Sequence, residues 1–176
     1  MVKWSAFLLV VLSFAAVHEG AHALVAAAFG EYEGFRVRPF GLEVVFKTPV
    51  EQRLGSRWAL ISGGANLLTV VLGYSLFAAR RRLCTIKTNF WRLYTFYAVV
   101  LFLFLDPLNL AFGPFLYGGD AIGIAVGLNT SQSVLQAISF VVFLVNRELA
   151  ATCVAPLFGV KRSHFLLRPI VKPKTN

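Results

Sequence analysis

His18, Glu19 and His22 stand in the stretch Val17-His18-Glu19-Gly20-Ala21-His22-Ala23, which holds two of the chain's three histidines in a His-Glu-x-x-His spacing. On a helix the two imidazoles are one turn apart and project from one face. So placed, they can ligate a single Zn2+. Zinc lowers the pKa of water to about 7, and a carboxylate on the adjoining face can take the proton as that water attacks a peptide carbonyl. Glu19 is that carboxylate, and it can then protonate the leaving amine. A catalytic zinc also needs a third protein ligand and an open position. The third histidine, His164, lies among Lys161, Arg162 and Arg168 and reads as a surface residue. Asp106 and Asp120 are the carboxylates left within apolar stretches. Asp106 precedes Pro107 and can simply end its helix, while Asp120 can cap the helix that begins at Ala121. The glycines beside Asp120 let the backbone approach a metal closely, which favours Asp120 over Asp106 as the ligand.

The setting of the pentapeptide narrows its meaning. Of 176 residues, 57% are hydrophobic and only 14% charged, and the mean hydropathy is +0.70. Several apolar runs reach the roughly 20 residues needed to span a bilayer. Only helices and closed barrels can span, and runs this continuous in Leu, Val, Ala and Phe read as helices. An ionisable residue at the bilayer centre is penalised by about 2.5 kcal/mol or more. Two histidines and a glutamate inside a span therefore read as a site. The bland alternatives are a polar cluster that packs helices and a proton path. The net charge of +9 comes from 17 Lys and Arg that lie almost wholly in connections and tails, among them Arg80 to Arg82 and Lys172. That distribution suits anionic lipid headgroups. No basic groove interleaved with aromatics stands out, so nucleic acid is not an expected partner. Cys84 and Cys153 are too far apart in sequence to define a framework or a metal pair.

The expected fold is mainly α: one domain, a polytopic transmembrane helical bundle of four to six spans with a short β-hairpin inserted after the first. Residues 1–30 form the first span. A cleaved signal peptide would share its positive start and its Ala21-His22-Ala23 site, but the apolar character continues through Phe29. Residues 31–56 carry the hairpin, in which Phe35-Arg36-Val37-Arg38 alternates, Pro39-Phe40-Gly41 reads as a turn and Leu42 to Lys47 resumes strand composition. Its outer edge could accept an extended peptide as a further strand. Residues 57–79 form the second span, with Ser62-Gly63-Gly64-Ala65-Asn66 inside it and Arg80 to Arg82 stopping it. An Asn at that depth needs a partner, and interhelical glue is its plainest role. Residues 93–128 read as a span broken at Asp106-Pro107-Leu108-Asn109 and again at Gly113-Pro114, which implies a protein-lined cavity. Residues 132–160 hold the last span, and 161–176 form a basic tail.

Together, His18-Glu19-Gly20-Ala21-His22 in a first span, a strand-like insert, a small-residue span with Asn66 and a broken span ending in Asp120 resemble the site-2 protease family of intramembrane zinc metalloproteases. The resemblance runs from about Trp4 to Leu128. It implies one zinc held by His18, His22 and Asp120, with Glu19 as general base and Asn66 and Asn109 positioning the substrate. It also implies membrane proteins as substrates and a multi-pass location, taken here as the cell membrane. Two motifs depart from the family pattern. Ser62-Gly63-Gly64-Ala65-Asn66 keeps the Asn of Gly-Pro-x-x-Asn without its Pro, and Asp120 follows Gly118-Gly119 where the family has Leu-Asp-Gly. With four spans, counting Lys and Arg puts the N-terminus, the 80–92 connection and the tail in the cytoplasm, opposite to the orientation the resemblance implies. The alternative function is non-proteolytic: an inactive relative serving as a regulatory subunit, or a membrane carrier.

Overall fold

Many large apolar side chains face outward in this protein, and small and polar ones make up much of the inward faces of its first two helices. The computed structural model describes residues 1–38, 41–116, 119–160 and 168–170. In α1 (Val2–Ala28) the buried residues are Ala6, Val10, His18, Ala21, His22 and Ala26, while Trp4, Leu8, Leu12 and Leu24 are exposed. The inward stripe recurs about every four residues, as one face of a helix must. In α2 (Arg57–Leu83) the stripe is Trp58, Ile61, Ser62, Ala65, Asn66, Thr69 and Gly73, with Leu60, Leu67 and Val71 outside. This inversion of the soluble pattern follows from the solvent. Lipid is as apolar as leucine, so helices associate through close packing of small residues and through hydrogen bonds.

Helices α3 (Asn89–Phe112) and α5 (Gln132–Leu149) complete the long elements, and a short α4 (Gly119–Gly127) lies between them. Among the described residues, four helices are long and apolar enough to cross a membrane. At 1.5 Å per residue α1 and α2 each reach about 40 Å against a hydrocarbon core of about 30 Å, whereas α4 reaches only about 14 Å. The described residues therefore hold four candidate spans, the low end of the expected range. Helix α2 runs on past residue 79 through Arg80 to Arg82, which form part of its last turn.

The hairpin expected after the first span is present as β1 (Tyr32–Arg38) and β2 (Gly41–Phe46), antiparallel, with Phe35 opposite Val44 and Arg36 opposite Glu43. The turn expected at Pro39-Phe40 lies outside the described residues, as does His164 with most of the basic tail. A lone two-stranded hairpin is marginal in water. This one is tied down at its base, where Glu31 accepts the Thr48 N–H at 3.1 Å and pairs with Arg57 at 2.9 Å. Beneath it, Tyr32 and Phe46 pack on Ala26, Trp58 and Ile61.

The break expected at Asp106-Pro107 does not occur. Helix α3 runs through Pro107 to Phe112 and gives way only at the 3-10 turn Gly113–Phe115. A proline inside a helix removes the N–H that would serve the carbonyl four residues earlier. Here that carbonyl belongs to Leu103, and the buried Asn146 side chain of α5 donates to it at 2.7 Å. Asn146 in turn accepts the Tyr74 hydroxyl of α2 at 2.7 Å. Three helices thus share the vacancy that Pro107 creates. Asn146→Leu is expected to destabilise the bundle by about 1–2 kcal/mol, because it orphans a buried carbonyl. In a Pro107→Ala background the cost should fall to roughly half, since alanine at that position restores the missing N–H donor. Reversible unfolding in detergent measures both sides of this cycle.

Candidate metal centre

Four helices deliver side chains to one point. Helical spacing on α1 sets the His18 and His22 rings 4.7 Å apart, centroid to centroid, and Phe14 stacks on His18 at 5.6 Å. Helix α4 adds Asp120 from its first turn, where the residue is part of the helix and not its cap. His22 Nε2 lies 3.2 Å from His18 Nε2 and 3.1 Å from Asp120 Oδ2, and His18 Nε2 lies 3.5 Å from the same oxygen. A tetrahedral zinc with bonds of about 2.0–2.1 Å holds its ligand atoms about 3.3 Å apart. The triangle has those dimensions, and these three residues are the described group able to hold a metal ion.

The opposite edges of the rings decide what the triangle is made of. His22 Nδ1 donates to the Ile61 carbonyl of α2 at 3.1 Å, and a carbonyl can only accept, so the proton of a neutral His22 sits on Nδ1. His18 Nδ1 lies 3.1 Å from Asp106 Oδ1 of α3, close though off the line of a well-aligned hydrogen bond. With the His18 proton likewise on Nδ1, beside the Asp106 carboxylate, both Nε2 lone pairs face one another and a carboxylate oxygen. Only a cation among them, or a second proton on the rings, relieves that repulsion. Orienting a histidine ligand through its other nitrogen is the usual support of a metal site.

Asp106 is therefore not part of the His18–His22–Asp120 triangle. It is fully buried, faces the Nδ1 edge of His18, and accepts the hydroxyl of Thr69 from α2. Asn66 also reaches the site: its Nδ2 donates to Asp120 Oδ2 at 2.9 Å and to the Ser62 carbonyl at 3.0 Å, while its Oδ1 is buried without a partner among the described residues. Asn109 sits half-buried on α3, three residues beyond Asp106. Glu19 is half-buried, and its Oε2 accepts the Val44 N–H of β2 at 3.0 Å. The edge of β2 is thus engaged by Glu19 at Val44.

Helix α4 seats Asp120 by lying almost backbone to backbone on α2. A Cβ on Gly127 would stand 2.0 Å from Ala59 N, and one on Gly123 would stand 1.9 Å from Ser62 Oγ. Gly119, Gly123 and Gly127 are spaced by four, a small-residue stripe readable in the sequence that marks a close helix contact. The orienting roles of Asp106 and Thr69 carry no such local signal, nor does the burial of Arg53 beside the hairpin. Comparison with family models, with curated proteins and with solved structures returned no match. Asp106→Ala frees the His18 ring to turn, so zinc affinity measured by chelator competition is expected to fall about 10–100-fold. Thr69→Val, one step further out, should lose less.

Proposed function

We propose that this protein is a membrane-embedded zinc hydrolase with His18, His22 and Asp120 as its ligands. More narrowly, it is an intramembrane endopeptidase of the site-2 type that cuts membrane protein substrates within or near the bilayer. The observation that carries this reading is the triangle of three acceptor atoms, 3.1–3.5 Å on a side, which holds no ring hydrogen when both neutral rings carry their proton on Nδ1. A zinc bound there supplies Lewis acidity toward a peptide carbonyl and brings the pKa of water to about 7.

The chain's own groups do the rest. Glu19 follows His18 directly and is anchored through Oε2 by the Val44 N–H, which leaves Oε1 without a hydrogen bond among the described residues. That oxygen takes the proton of the attacking water and returns it to the leaving amine. Asn66 and Asp106 hold Asp120 and His18 in orientation. The hairpin lies over the site through Val44 and Phe46 and limits water around it. Basic residues in the connections hold this multi-pass protein against anionic headgroups of the cell membrane.

Glu19→Gln is expected to keep one equivalent of zinc while cleavage of a single-pass reporter substrate falls by about 10²–10⁴. Undiminished cleavage by that variant sinks the mechanism. His22→Ala should lose stoichiometric zinc, read by metal analysis of the purified protein. Stripping zinc should also lower thermal stability, because a ligand at 100 times its Kd stabilises the folded state by about 2.7 kcal/mol. A wild-type protein that holds zinc and cuts nothing would be the regulatory relative instead.

A further inference from the structure

Arg53 is a buried cation that nothing described so far employs. It is 9% exposed, in the connection between the hairpin and α2. Its guanidinium packs against two aromatic rings that meet edge to face, 4.9 Å from the centroid of Phe46 and 4.5 Å from that of Trp58. Its Nε donates to the Thr48 carbonyl at 3.4 Å. Neighbouring Arg57 pairs with Glu31, but Arg53 makes no ion pair among the described residues, and its two η nitrogens have no hydrogen-bond partner there. Burial pulls its pKa below the ordinary value, opposed by the fields of Asp120, Glu31 and Glu51. A guanidinium keeps its proton under such a shift. Its η nitrogens are not among the enclosed polar atoms, so the donor fork is open to a ligand.

The fork lies beside α4, the helix that carries Asp120. One η nitrogen lies 3.7 Å from where a Cβ on Gly123 would stand, and Gly123 is three residues beyond Asp120, on the same face of α4. From the other side, the Phe46 ring that carries the guanidinium also meets the His22 ring at 6.2 Å. Arg53 is therefore one aromatic ring from one ligand and one helical turn from another. The stack and the Nε contact fix its plane, and the η edge is left open.

We propose that Arg53 is the oxyanion-binding residue of this site: its free η nitrogens hold the scissile carbonyl oxygen as that oxygen becomes negative. The assignment rests on the peptidase reading above. In the first step the water oxygen bonds to the carbonyl carbon, a water proton passes to Glu19, and the π pair of the carbonyl moves onto its oxygen. In the second step that pair re-forms the carbonyl, the C–N bond breaks, and Glu19 returns the proton to the amine nitrogen. A fixed guanidinium beside the oxygen favours the charged species over the neutral peptide, so it acts on kcat more than on substrate binding.

The test uses the zinc-loaded full chain in detergent, with Arg53→Met to remove the charge and Arg53→Lys to keep it without the fork. Arg53→Met is expected to lose about 10²–10³ in kcat with KM changed by no more than about threefold. Its affinity for a phosphinic peptide, whose tetrahedral anion mimics the intermediate, should fall by a similar factor. Substrate affinity, measured with Glu19→Gln as background, should stay unchanged, and zinc should remain at one equivalent. Arg53→Lys should lie between wild type and Arg53→Met, and it carries the same comparison should Arg53→Met fail to fold. Equal weakening of phosphinate and substrate, or a wild-type kcat in either folded variant, overturns the assignment alone. A wild-type chain that binds no zinc or cuts no substrate overturns the peptidase reading and this assignment with it.

Discussion

A buried imidazole needs a partner for each of its two ring nitrogens. His18 and His22 pose that demand twice, and the bundle is arranged around the answer. The Nδ1 edges are met by the Ile61 carbonyl of α2 and by Asp106 of α3, and the Nε2 edges meet each other and Asp120 of α4. Two side chains on one helix thereby set where three other helices must lie. The carboxylates are held in turn by Thr69 and Asn66, so the polar groups around the two histidines form one connected network. Networks of this kind strengthen together and fail together.

The same rule explains why a proline sits unbroken inside α3. Lipid would leave the Leu103 carbonyl orphaned, but Asn146 supplies the donor and Tyr74 completes it. Packing and polarity act jointly here. The glycine stripe on α4 brings backbones close, and that closeness keeps Asp120 within reach of both rings. The hairpin uses its own polar groups in the same manner, closing over Glu19 through a backbone N–H and anchoring at Glu31.

Much of this was legible before any coordinates. Apolar runs marked the spans, alternation marked the strands, and the glycines near Asp120 favoured it as ligand. What misled was a local rule applied without its surroundings. Asp106 before Pro107 reads as a helix end, and a break there looks certain, until a neighbouring helix provides the donor that the proline lacks. Arg53 reads as one more cation in a basic connection, because nothing near it in sequence announces that Phe46 and Trp58 will pack against it.

The sequence by itself determined what depends on helical period: His18 and His22 share a face because they are four apart, and their setting in an apolar run makes them costly unless used. Only the tertiary structure decided the partners. Asp120 lies 98 residues from His22 along the chain, and whether its oxygen comes to 3.1 Å depends on how closely α4 settles on α2. That distance is set by packing between helices, which no local spacing encodes. The same holds for Asp106, which shares apolar surroundings with Asp120 in sequence and lies across the His18 ring from it in space.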